Sequence, residues 1–157
     1  MKQHHERFLQ EAISLAEASV RLGGGPFGAV VVRDGEIIGR GHNRVTLDLD
    51  PSAHAEIQAI RDACQHSGDF SLKACTLYVS CEPCPMCMAA AYWARLDQIV
   101  YAASASDAAE AGFDDVHISQ ELCRPHSERG LRMKQAMREQ ALSVFELWKQ
   151  TKDRQEY

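Results

Sequence analysis

No apolar run in these 157 residues approaches the ~20 needed to cross a bilayer. The opening Met1-Lys2-Gln3-His4-His5-Glu6-Arg7 lacks the apolar stretch of a secretory signal, so a cytosolic location is expected. There is no internal repeat, no low-complexity stretch and no composition break that would mark a second domain. Basic residues are missing from one whole segment. Between Asp107 and Glu121 stand five acidic side chains (Asp107, Glu110, Asp114, Asp115, Glu121) and no Lys or Arg. Arg124, Arg129, Arg132, Lys134 and Arg138 follow directly. With a net charge of −5 and a pI near 5.8, this distribution disfavours a nucleic-acid partner. If the acidic segment lines a site, a polyanion is repelled there.

What is present is ordinary for a globular chain, with 45% apolar and 25% charged residues, enough for one compact domain with a proper core. The six cysteines (Cys64, Cys75, Cys81, Cys84, Cys87, Cys123) need not pair. In a cytosolic chain a CxxC binds metal or does redox work. A thioredoxin-like redox pair is the rival reading for Cys84 and Cys87, but it leaves the upstream His54-Ala55-Glu56 idle.

Apolar residues Phe8, Leu9, Ala12, Ile13, Ala16 and Val20 recur at helical spacing, predicting a helix over about 5–22, ended by Gly23-Gly24-Gly25-Pro26. Strands over 27–32 and 36–40 flank the turn signal Asp34-Gly35, the first nearly all apolar and therefore central. A helix from Ala53 to about His66, a strand over 76–80, a small-residue helix from about Pro85 to Arg95 and a strand over 98–102 follow. Strand–helix–strand order implies a right-handed parallel crossover, hence an α/β fold with helices on both sheet faces. Leu142, Phe145 and Trp148 predict a closing helix, while Leu131–Gln135 is open between a fifth strand and the start of a helix.

The chemistry lies in His54-Ala55-Glu56 and Pro83-Cys84-Pro85-Met86-Cys87. One histidine and two cysteines make a three-ligand metal set, whereas a structural zinc site is closed by four protein ligands. Cys84 and Cys87, three apart at a helix start, share a face, and the helix N-terminus favours their thiolates. Glu56, at the first turn of its own helix, is free to carry a proton to and from a metal-activated water. A structural zinc clip with Glu56 as a solvated residue is the bland alternative, and no fourth ligand stands in register for it. Cys81 is expected to pack, and His4, His5, His66, His117 and His126 to be exposed, having no partners at ligand spacing.

His-x-Glu followed by Pro-Cys-x-x-Cys resembles the motif of the zinc-dependent cytidine-deaminase superfamily. The resemblance implies a three-layer α-β-α fold around a mixed sheet of five strands, or of four plus an exchanged one. It also implies one zinc ion per subunit, held by His54, Cys84 and Cys87 with water as fourth ligand, and hydrolytic deamination with Glu56 as proton shuttle. Along nearly its whole length the chain further resembles the bacterial guanine deaminases of that superfamily. The resemblance rests on Gly25-Pro26-Phe27-Gly28-Ala29, Asp50-Pro51, Cys81–Cys87, Tyr92-Trp93-Ala94-Arg95, Ala108–Asp115 and the terminal Glu156-Tyr157.

Guanine offers ring N–H donors and a carbonyl, so its pocket needs a carboxylate acceptor and an amide donor. Asp115, or in second place Asp114, is the expected acceptor and second proton shuttle, and Asn43 the expected amide. Phe27 and Trp93 are candidate aromatic walls, and Ala55 is placed at the substrate with its neighbours. The resemblance implies a homodimer in which a tail of about 140–157 is exchanged, Tyr157 completing the neighbour's pocket. The same motif also serves deaminases of cytosine, ammeline or adenosine in tRNA, and a non-catalytic zinc-binding module is the alternative from another class.

Overall fold

The computed structural model of the chain describes residues 2–157, with side chains from His5 onward, so the expectation for His4 lies outside the described side chains. It divides into two compact units, Met1–Val116 and His117–Tyr157.

The first unit is built on a four-stranded mixed sheet of order β2-β1-β3-β4. Strand β1 (Gly28–Arg33) pairs antiparallel with both β2 (Glu36–His42) and β3 (Cys75–Cys81), and β3 pairs parallel with β4 (Gln98–Ala103). Arg33 faces Glu36 across the turn Asp34-Gly35, whose φ values of 50° and 80° match the twist of the hairpin. Parallel β3 and β4 need a crossover, and helix α4 (Pro85–Trp93) supplies it.

Side chains alternate along the central strands and bury both faces. Ala29, Val31, Leu77 and Val79 meet Ala55, Ala59 and Ala63 of helix α3 (Ala55–Ser67) and Ala94, just past α4. Val30, Val32 and Tyr78 meet Phe8 of helix α1 (Lys2–Arg21) on the other face. Each fully buried side chain such as Leu77 or Phe8 contributes about 1.5–3 kcal/mol. Small residues bring α3 close to β2: a Cβ at Gly41 would collide with the Ala55 carbonyl. The helix–sheet–helix layering expected from the element order is thus observed.

Several boundaries and elements differ from expectation. Helix α1 begins at Lys2, and β2 runs on to His42 because Gly41 and His42 still pair with Ala29 and Gly28. Three short helices were not foreseen: α2 (Val45–Asp48), α5 (Ala105–Glu110) and α6 (Val116–Cys123). At four, six and eight residues they are too short for a helical period to show. His5 is half-buried rather than exposed, its Nδ1 2.9 Å from the Tyr78 hydroxyl.

The second unit contains most of α6, a 3-10 turn (His126–Glu128) and helix α7 (Arg138–Gln150). Glu121 accepts from Gly130 N–H at 2.5 Å and from Arg124 at 2.6 Å. Arg129 donates to the Leu122 and Arg124 carbonyls, which together close the 121–130 turn. Residues 131–137 form neither of the two elements left open for 131–135. Leu131 and Met133 alternate with Arg132 and Lys134, a pattern that makes a strand only beside a partner; here Leu131 is 81% exposed.

Candidate active site

Two helix starts meet at the site. His54 is the N-cap of α3 and Cys84 the N-cap of α4, both with extended backbone, so each side chain projects from the end of its helix. Pro85 occupies the first turn of α4, where its missing N–H costs nothing. Cys87, one turn on, is fully buried on the same side.

His54 Nδ1 lies 3.5 Å from Cys84 Sγ and 3.5 Å from Cys87 Sγ, and the three donor atoms are all within 4.8 Å of one another. A tetrahedral zinc ion bound at ~2.3 Å to sulfur and ~2.0–2.1 Å to nitrogen sets S···N separations of about 3.5 Å. The donor set therefore fits zinc in both chemistry and spacing. Among the described residues this is the one His/Cys/Asp/Glu cluster with such convergence. The Cys84 thiol is pulled down to about 4 by hydrogen bonds from Cys87 and His54, against the effect of burial. The same bonds hold Cys87, the donor of the pair, above the ordinary thiol range, and they raise His54.

Glu56, the second residue of α3, is 8% exposed. Burial pushes its carboxyl above the ordinary carboxylate range, while its own backbone N–H and the Cys87 thiol oppose that shift. A carboxylate shielded from water beside a metal set is suited to taking up and returning a proton.

His54, Glu56 and Cys84 open onto a cavity of about 870 Å³ in the first unit, lined also by Phe27, Asn43, Asp114 and Asp115. Asn43 is 6% exposed and held at almost every polar atom. Its N–H donates to the Phe27 carbonyl at 3.0 Å, and its carbonyl accepts from the Ser19 hydroxyl at 3.0 Å. Its Oδ1 accepts from Gly25 N–H at 3.3 Å and Val45 N–H at 3.2 Å. With the oxygen committed, the amide is oriented as a donor, and Nδ2 is what it can offer to the cavity.

Asp114 Oδ1 is spent on Val116 N–H at 3.0 Å, opening α6. Asp115 is half-buried, and burial followed by the nearby Cys84 charge raises its carboxyl. Both expected acceptors line the cavity with His54 and Cys84, and Asp115 is the one whose oxygens are not spent on opening α6 in the way Asp114 Oδ1 is. Phe27 stands edge-on to Phe113 with ring centroids 5.0 Å apart, forming one wall. Ala55 and Trp93 do not line the cavity: Ala55 is packed in the core, and Trp93 is 61% exposed at the end of α4. Tyr157 is the last residue of the second unit and is exposed. Cys81 packs as expected, its thiol 3.5 Å from the Ser104 carbonyl.

Residues 2–103 match the family model described as the cytidine and deoxycytidylate deaminase zinc-binding region. The chain belongs to that family. Within it, the chain is 50% identical over 155 residues to guanine deaminase of Bacillus subtilis (strain 168), an alignment covering 98% of this chain and 99% of that one. A crystal structure of guanine deaminase from Bacillus subtilis superposes with a TM-score of 0.94 at 51% identity, covering 98% of both chains. A tRNA-specific adenosine deaminase of Streptococcus pyogenes is 45% identical over 97 residues, 62% of this chain and 61% of that one. The zinc-binding deaminase fold is therefore common to relatives named for different substrates.

Glu82, Ala105 and Ala108 line the cavity without having been foreseen. Glu82 stands inside the motif segment, and Ser104-Ala105-Ser106-Asp107 is a capping-box pattern that marks the start of α5.

Proposed function

We propose that the chain hydrolyses guanine to xanthine and ammonia. The observation that carries the reading is Asn43, pinned as a donor in the same cavity as the Asp115 carboxyl and the metal set. A donor answers the guanine carbonyl or imidazole edge, and a carboxylate answers the ring N–H and amino groups. The full-length relative named guanine deaminase supports the same substrate.

In this mechanism His54, Cys84 and Cys87 would hold one zinc ion per subunit, which would supply the Lewis acidity that makes water a nucleophile near neutral pH. Asn43 and Asp115 orient the base so that the carbon bearing the 2-amino group faces Glu56. Glu56 accepts a proton as water adds to that carbon and delivers it to a ring nitrogen. The proton of the newly formed hydroxyl then passes by way of Glu56 and Asp115 to the amine as the C–N bond breaks, so that ammonia leaves and the second carbonyl of xanthine forms. Phe27 and Phe113 wall the pocket and exclude water from one side.

The working unit in this proposal is a homodimer whose C-terminal segment is exchanged, with Tyr157 completing the neighbour's pocket. Helix α7 has no buried residue, and Val144, Phe145 and Leu147 are each more than 60% exposed. An apolar stripe of that kind calls for a covering surface. A cavity of about 870 Å³ suits a drug-sized ligand and leaves room for a further wall beside a bare base. A cytoplasmic setting fits the six free cysteines, and no described helix is long and apolar enough to cross a membrane.

An ammonia-release screen against guanine, adenine, cytosine, ammeline and a tRNA anticodon stem-loop tests the substrate. Guanine is expected to be turned over fastest, and a preference for any other member of the panel overturns the reading.

A further inference from the structure

Glu82 follows the last residue of β3 and precedes Pro83-Cys84, so it belongs to the segment that delivers the metal ligands. Its backbone N–H donates to the Ala103 carbonyl at 2.8 Å, extending the β3–β4 ladder by one bond. Its side chain turns to a different element. Oε2 accepts the N–H of Ala105 at 2.9 Å, the first residue of α5 and one of the helix-start donors that no carbonyl of their own helix satisfies. Cys81 holds the adjacent Ser104 carbonyl from the same strand end.

Helix α5 has little else to fix it. It has six residues, none buried, and its capping box between Ser104 and Asp107 is internal to the helix. Yet α5 leads directly into Phe113, Asp114 and Asp115, and Phe113 folds back to donate its N–H to the Ala108 carbonyl at 2.9 Å. Asp115 lines the same cavity as His54 and Cys84, and where α5 begins, together with the Phe27–Phe113 contact, sets where in that cavity it stands.

We propose that Glu82 is a positioning residue that clamps α5 to the ligand-bearing segment and so sets the distance between Asp115 and the His54/Cys84/Cys87 cluster. The clamp works by reach, through one accepting oxygen, and not by charge. This inference rests on the reading of Asp115 as a group that faces the substrate.

Two near-isosteric variants separate reach from charge. Glu82→Gln keeps an oxygen at the same distance and loses the charge; Glu82→Asp keeps the charge and withdraws the oxygen by one methylene. In the zinc-loaded full chain, Glu82→Gln is expected to keep kcat/KM on guanine within about threefold of the parent. Glu82→Asp is expected to lose about tenfold or more, because small misplacements of an orienting group are costly. Zinc content should be the same in both. Amide hydrogen exchange should quicken over residues 104–115 in Glu82→Asp alone. In an Asp115→Asn background, Glu82→Asp should cost less than about threefold further, since both changes act through one group.

Equal impairment of the Gln and Asp variants overturns the proposal, as does parental exchange over 104–115 in Glu82→Asp or full additivity with Asp115→Asn. If the parent chain does not deaminate guanine, the substrate reading fails separately. The clamp is then decided by exchange alone: faster exchange in Glu82→Asp than in Glu82→Gln upholds it, and equal exchange sinks it.

Discussion

The side-chain oxygen of Asn43 accepts the N–H of Gly25 at 3.3 Å, and with it the chain turns an ambiguous amide into a donor of fixed orientation. The Gly23-Gly24-Gly25 turn follows α1 and Asn43 follows β2, so the bond ties together segments 18 residues apart. Both lie in the wall of the cavity that holds the metal set.

Asn43→Asp follows from that arrangement. Aspartate retains an oxygen for the Gly25 and Val45 amides, so the fold is expected to survive, but the donor facing the cavity is gone. KM for guanine should rise about tenfold or more, the cost of a lost hydrogen bond with an acceptor turned toward a carbonyl. Steady-state kinetics with a thermal melt checks it; an unchanged KM removes Asn43 from substrate recognition.

Asp115→Asn keeps shape and removes the proton-carrying carboxylate. Turnover should fall about 100-fold or more with the melting temperature held, since positioned acid–base groups contribute roughly that much. Parental kinetics would take Asp115 out of the site.

Removing Tyr157 tests the tail. The expected result is a dimer by light scattering with a raised KM for guanine, because the pocket loses a wall that the neighbour supplies. A monomeric chain, or a dimer with parental kinetics, contradicts the exchanged-tail reading.

Stripping the metal with a chelator should abolish activity and lower the melting temperature, because an ion that binds the folded chain alone stabilises it. Zinc should restore both. His54→Ala should do the same irreversibly, and activity retained after complete stripping contradicts a metal-dependent reaction.

The metal set was legible in sequence because its spacing is local: His54 with Glu56, and Cys84 with Cys87, are each placed by one helix start. The hairpin and the central strands were legible for the same reason, through Asp34-Gly35 and alternating burial. The anchoring of Asn43 and the Glu82 clamp were not. Asn43 is held by Gly25, 18 residues away, and Glu82 by Ala105, 23 residues away, and no local pattern records either pairing. Helix α5 was missed because its residues Ala105–Glu110 are small or polar, although the capping box of Ser104 and Asp107 announces it. Residues 131–137 were ambiguous because alternating Leu131, Arg132, Met133 and Lys134 specify a strand only when another strand is present.

The measurement that bears most directly on the account is conversion of guanine to xanthine by the zinc-loaded chain, followed by chromatography beside Glu56→Gln with metal content determined for both. The account predicts stoichiometric xanthine and ammonia from the parent chain, and a variant that keeps one zinc per chain but has lost activity by about 100-fold or more. A Glu56→Gln variant that retains parental activity, or a zinc-loaded parent that leaves guanine untouched, would contradict it.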